Sequence, residues 1–218
     1  MKNIYIILIL IFSFIIISCS SSSDGGSSTT STDNTTSTSD DSSDNSSTTE
    51  LEGAWASSCG VTSWDNSHYH IKTWTFTGSA LVVKWDEYSD SSCATDYAIW
   101  TDTYSSFSIG NEATLDNGST GRKFTMKVDS FVGSLQTAAA VTDHNSWNFC
   151  GYSDWALNTT KDYTGMTCSS TDYAAANTNI YGMYLLEGNS LLISDITSSS
   201  SPYQDNVSSV DSMVLTKQ

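Results

Sequence analysis

Proline occurs once in the 218 residues and arginine once, at Arg122, and cationic side chains of any kind are few. Eight Lys and Arg face 24 Asp and Glu, a formal net charge of -16. Nucleic acid is thereby excluded as a partner, because binding it requires a basic surface that neutralises phosphates. Anionic lipid headgroups would also repel the chain's surface. Long apolar runs of helical period are missing from the part of the chain able to fold, and Trp, Tyr, Thr, Val and Ile dominate there. That profile excludes a helical bundle and predicts an all-β domain. No Gly-x-Ser-x-Gly is present, and the carboxylates of Asp86 and Glu87 are adjacent, on opposite faces of a strand. Neither pattern supplies a nucleophile elbow or a shared acid and base, so the expectation is a protein that is not an enzyme.

What is present begins with Lys2, an apolar run from Ile4 to Ile17 and then Ile16-Ile17-Ser18-Cys19. Fourteen residues interrupted by Ser13 are too few for a spanning helix, which needs about 20. The arrangement resembles the lipobox of bacterial lipoproteins. The resemblance implies a signal peptide over 1–18, with Cys19 acylated by diacylglycerol and usually by a third chain such as palmitate on its amine. Two or more chains give stable attachment. It further implies a place in the bacterial cell envelope, and Ser20 is compatible with outer-membrane sorting. Residues 19–49 then form a linker: Ser20 to Thr49 holds only Ser, Thr, Asp, Asn and Gly. With nothing to bury, it is predicted to be disordered and to span roughly 30 Å. Asp40, Asp41 and Asp44 lack the glycine and glutamate of a calcium-wrapping loop.

Residues 50–218 make one domain's worth of chain. Without Lys2 and the five linker aspartates, its net formal charge is -12. Beyond Cys19 the cysteines are Cys59, Cys93, Cys150 and Cys168. An even number in an exported chain reads as disulfides, with three connectivities open. Nearest-neighbour pairing would close loops of 35 and 19 residues, worth roughly 3 to 4 kcal/mol each. A zinc site of four cysteines lacks the short spacing such sites use.

Period-two alternation marks the strands. Leu81, Val83 and Trp85 alternate with Lys84 and Asp86; Ala98, Trp100 and Tyr104 recur at even numbers; and Phe124, Met126 and Val128 alternate with Lys123, Thr125 and Lys127. A first strand opens at Gly53-Ala54-Trp55, a second carries His68 to Phe76, and others span Ile180 to Leu186, Leu191 to Ile196 and Val210 to Thr216. Turns fall at Thr77-Gly78-Ser79, Asp116-Asn117-Gly118 and Glu187-Gly188-Asn189. Thr137 to Phe149 reads as a single helix, ended at Cys150-Gly151 and packed on the sheet or plugging one end. Tyr88 to Ala98 echoes Tyr163 to Ala174 around a central cysteine, as two stapled loops on one rim would.

Gly53-x-Trp55 at the head of the first strand, the succession of antiparallel strands and the single helix resemble the lipocalin and wider calycin group. The resemblance implies an antiparallel barrel of about eight strands with one packed helix. It also implies a basic residue covering the first tryptophan, which the sequence does not identify.

An eight-stranded barrel encloses room for one small molecule. The residues expected to line it are Trp74, Phe76, Trp85, Trp100 and Met126, and the expected ligand is small and apolar or amphipathic. The rival is a surface recognition module for glycans or proteins, using the loops that hold Trp64, Tyr88, Tyr152, Trp155 and Tyr163. A third reading uses metal. His68 and His70, two apart on a strand, project to one face, and His144 on the helix would complete a set for zinc or copper. No other cofactor is expected.

Overall fold

The computed structural model describes residues 50–62, 67–114, 118–194, 196 and 214–218. The signal segment, Cys19, the linker, Trp64 and the Asp116-Asn117 turn lie outside them. The strands are β1 (Gly53–Ala56), β2 (Gly60–Val61), β3 (Tyr69–Thr77), β4 (Ala80–Tyr88), β5 (Asp96–Thr114) and β6 (Thr120–Leu135). An excursion follows, holding helix α1 (Ala138–Ser146), a 3-10 turn (Phe149–Gly151), β7 (Thr160–Asp162), β8 (Thr167–Cys168) and β9 (Thr171–Asp172). The chain then returns through β10 (Asn179–Glu187), β11 (Ser190–Ile193) and β12 (Leu215–Lys217).

Eight of these strands close an antiparallel barrel in the order β1, β3, β4, β5, β6, β10, β11, β12, with β12 pairing back onto β1. Each strand follows its barrel neighbour in sequence, so this is an up-and-down meander that leaves no free edge. The architecture is consistent with a lipocalin-like fold. Gly78 and Gly188 take left-handed φ values of +55° and +61° in the tight turns at one end. Lys217 on the last strand lies opposite Trp55, with its ammonium 5.2 Å from the indole. A basic residue thus lies over the first tryptophan of the strand set, at a position that the sequence alone does not pick out.

The two ends are built differently. At the end of the β3–β4 and β10–β11 turns, Phe107 packs edge-on to Phe76 at 5.1 Å and stacks on Phe124 at 5.3 Å. Ser106, at φ +53°, lies in a register shift between Ser105 and Ser108 that bends β5 there, and Phe107 is buried beside it. Leu51, Leu81, Leu191 and Leu215 complete a filled core around these rings. The excursion leaves from the other end, where β3 and β5 begin and β4 and β6 finish.

Helix α1 is shorter than the sequence predicts. Thr137 caps it by accepting from the Ala140 amide at 3.1 Å, and left-handed Asn148, at φ +51°, ends the helical path before Phe149. Gly151 is therefore not the terminator. β11 stops at Ile193 and β12 starts at Leu215, while residues 210–213 lie outside the described set.

Candidate ligand-binding site

Strand register determines which side chains enter the barrel. Reading across β3, β4, β5 and β6, one interior layer holds Lys72, Trp85, Trp100 and Gly133, and the next holds Trp74, Val83, Asp102 and Phe131. Nearer the excursion lie His70, Glu87, Ala98 and Leu135. A register shift between Glu87 and Tyr88 leaves Tyr97 as the extra residue opposite β4, so the consecutive Tyr97 and Ala98 are both buried. This is how a bulge re-aims a side chain beside a site. The Tyr97 hydroxyl donates to Asp143 at 2.9 Å and ties α1 to the barrel mouth.

A cavity of about 590 Å³ occupies this end. Trp85, Glu87, Trp100 and Asp102 line it from the barrel, and His68 and Tyr97 from the rim. The excursion contributes His144, Trp147 and Phe149 on one side, and Tyr163, Tyr173 and the Cys168–Thr171 hairpin on the other. The volume falls in the range of small-molecule pockets, as does the makeup, aromatic walls with a few convergent polar groups.

The polar groups have distinct environments. Glu87 is buried and accepts from the Trp100 indole N–H at 3.0 Å. Asp102 shares its strand face with Trp100 and Tyr104, and burial pushes its carboxyl up to about 7, against the opposing pull of Lys72 and a hydrogen bond from Tyr104. The Tyr163 and Tyr173 hydroxyls are raised first by burial and then by the charge of Asp102. Their rings meet edge to face at 4.7 Å. Lys72 holds its ammonium 4.1 Å from the Trp85 ring and 5.4 Å from that of Trp74. His144 is enclosed by Trp100, Phe149, Trp147 and Trp155, and this burial lowers its pKa. Its Nδ1 meets the Ala140 carbonyl at 2.9 Å, and since a carbonyl only accepts, the neutral ring carries its proton there.

Both disulfides brace this end. Cys59–Cys93 ties the segment after β1 to the β4–β5 loop, and Cys150–Cys168 ties the 3-10 turn to β8. All four cysteines among the described residues are so paired, which rules out a zinc site built from them. The bridges also place the folded domain in an oxidising, extracytoplasmic setting. Among the described residues, no helix is long and apolar enough to cross a membrane.

Of the predicted lining residues, Trp85 and Trp100 are on the wall. Trp74, Phe76 and Met126 are instead packed in the core and do not reach the cavity, although Trp74 shares a layer with Asp102. The indole N–H of Trp74, in the Asp102 layer, is a buried donor without an acceptor among the described residues. The histidine set is corrected as well. His68 and His144 reach one cavity, but His68 lies tilted against Tyr97 at 4.2 Å, His70 lies beside Trp85 inside the barrel, and His144 is held by Ala140. Among the described residues, no group of three or more His, Cys, Asp and Glu is arranged to hold a metal ion. Of the predicted surface aromatics, Trp155 and Tyr163 are buried. The two echoing loops converge, since their matching Tyr97 and Tyr173 line the same cavity.

Sequence reasoning missed Asp102 and Glu87 as interior groups, and it put Lys72 on the inward parity of Trp74 and Phe76 without giving it a role. The available signal was parity: Asp102 alternates with Trp100 and Tyr104, Glu87 with Val83 and Trp85, and Lys72 with His70 and Trp74. A charged residue on an apolar stripe is the informative exception.

Compared with protein-family models and with curated proteins, the chain matches none.

Proposed function

We propose that this domain is a non-catalytic small-molecule-binding barrel, held at the cell envelope by acyl chains on Cys19. The observation that carries the binding reading is the unequal filling of the barrel. One half is closed by Phe76, Phe107 and Phe124, while the other keeps an aromatic-walled cavity of about 590 Å³. A structural core would bury these rings against each other without leaving such a volume. Charged residues in its wall favour an amphipathic ligand over a purely apolar one, because an apolar guest would desolvate Glu87 and Asp102 with nothing in exchange.

Native mass spectrometry of the purified full chain tests this reading. A co-purifying mass that is lost on denaturation is the expected result. A bare mass, together with no change in tryptophan emission across a panel of amphipathic probes, would overturn it.

The anchor rests on the Ile16-Ile17-Ser18-Cys19 pattern. Cys19→Ser is expected to move the protein from the membrane fraction to an unprocessed or soluble form, and unchanged membrane partitioning refutes the anchor. Surface recognition of glycans or proteins is the weaker reading, since Trp155 and Tyr163, two of the aromatics it needs exposed, are buried.

A further inference from the structure

We infer that the cavity takes an organic cation, a small amine with a flat apolar body whose ammonium is received by Asp102 while its ring lies among Trp85, Trp100 and Tyr163, with Glu87, two layers nearer the mouth, adding negative field. This deepens the barrel-binding reading and rests on it.

Charge supplies the first strand of evidence. Two carboxylates line the wall, and among the described residues no lysine or arginine does. His144, which lines the wall together with His68, has its pKa lowered by burial among aromatic rings, which disfavours its charged form. Counting Lys72 behind Trp85 together with Asp102 and Glu87, the group carries a net formal charge of minus one when Asp102 is ionised and zero when it is protonated, and in neither state a net positive one. An anionic ligand would meet like charge at short range in a low-dielectric setting, whereas a cation completes the balance. The domain's own charge of -12 extends the same preference outward, concentrating cations near the mouth.

The second strand of evidence is the character of the π surface. Faces of Trp, Tyr and Phe attract a cation through the ring quadrupole. This interior already does so, because the Lys72 ammonium sits 4.1 Å from the Trp85 ring. The ligand's ammonium would be stabilised by the same two means that hold Lys72, an aromatic face and the field of Asp102. Tyr163 and Tyr173 extend the π surface from the excursion side, and Trp147, 61% exposed, carries it to the rim. Selection then follows from geometry: among the described residues no donor set is arranged for a bare metal ion, a flat apolar body is received by the rings, and the positive end finds the acidic wall.

Calorimetry of the full chain with three probes sharing one ring system, tryptamine, tryptophol and indoleacetate, tests the inference. Tryptamine is expected to bind about tenfold tighter than tryptophol, the equivalent of one ion pair or cation–π contact, with indoleacetate weakest. Combining Asp102→Asn with Glu87→Gln is expected to erase the difference while tryptophol binding persists, and that persistence shows the barrel is still folded. If tryptophol or indoleacetate binds as tightly as tryptamine to the unaltered chain, the cation inference is overturned and the barrel-binding reading stands. If none of the three binds, the amine class is overturned, and the binding reading goes with it when the native mass is also bare.

Discussion

Gly133 lies directly opposite Trp100 across the β5–β6 ladder, and the indole occupies the space that a side chain on Gly133 would need. A Cβ there would fall 2.3 Å from Cζ3 of the ring and 2.4 Å from Cε3. The glycine is what lets the indole lie across the sheet as cavity wall, with its N–H reaching Glu87. Gly133→Ala is therefore expected to destabilise the domain by about 1 to 3 kcal/mol and to displace Trp100. Ligand affinity should fall with it. Gly182 makes the matched control, because it sits beneath Phe124 in the filled half, where a Cβ would be 2.4 Å from Cζ. Gly182→Ala should cost similar stability while sparing affinity. Denaturant unfolding and probe titration of both variants check this, and equal affinity losses would contradict the division into a filled half and an open one.

The alternation of apolar and polar residues made most of the barrel legible, because a half-buried antiparallel strand writes its inward face directly into the chain. The parity of Leu81, Val83 and Trp85 gives both the strand and its orientation. What the alternation does not carry is depth along the barrel axis. Trp74 and Trp100 have the same inward parity, yet one is core and the other cavity wall, and only tertiary packing separates them, since Trp74 shares a layer with the wall residue Asp102. Bulges were invisible for a related reason: Tyr97 and Ala98 point the same way only because the β4–β5 pairing skips a residue. Asp102 has the same inward parity as Trp100 and Tyr104, but parity alone does not show that its level of the barrel opens onto a cavity where a carboxylate can be accommodated. The convergence of Tyr97, Tyr163 and Tyr173 depends on the excursion folding back over the mouth, which follows from tertiary packing and not from any local pattern.

The two disulfides should differ in what they support. Cys150–Cys168 spans a separation of 18 and carries Cys168 on the cavity wall, whereas Cys59–Cys93 spans 34 and fixes the rim without touching the cavity. Paired serine substitution of either is expected to cost about 2 to 5 kcal/mol. Loss of Cys150–Cys168 should in addition weaken ligand binding several-fold, because Ser169, Ser170 and Thr171 lose their anchor. Thermal unfolding followed by titration separates the two effects. Unchanged affinity after removal of Cys150–Cys168 would argue against a role for the hairpin in the wall.

Lys217 and Trp55 join the last strand to the first at the point where the barrel closes. Besides the ammonium over its ring, Trp55 donates its indole N–H to the Leu51 carbonyl at 2.7 Å, so one side chain secures both the closing strand and the entry segment. Lys217→Met keeps the aliphatic cover and removes the charge, and is expected to cost about 0.5 to 1 kcal/mol. Trp55→Ala should cost about 3 to 5 kcal/mol, as truncation of a fully buried tryptophan does. Chemical denaturation measures both, and a Lys217→Met variant as stable as the parent would remove the cation–π contact from the account.

Asp102 makes the domain's stability depend on pH in the direction opposite to that of most carboxylates. Its folded carboxyl is pushed up to about 7, while an unfolded aspartate titrates near 3.9. Between those values the folded chain binds a proton that the unfolded chain does not, so stability from this group is fully present below about pH 4 and declines as pH rises through 7. Three pH units set an upper limit of about 4 kcal/mol, reduced by the attraction of Lys72. Asp90 and Asp154, held below the usual carboxylate range by hydrogen bonds from Ser92 and Lys161, act in the ordinary sense and lose their contribution in acid. The difference between the parent and Asp102→Asn isolates the one group: plotted against pH, it should slope between 4 and 7 and flatten above. A flat difference across that window would mean that Asp102 is ionised throughout. The same protonation competes with a cationic ligand, so amine affinity should fall as pH drops from 8 to 6, whereas that of a neutral analogue should not change.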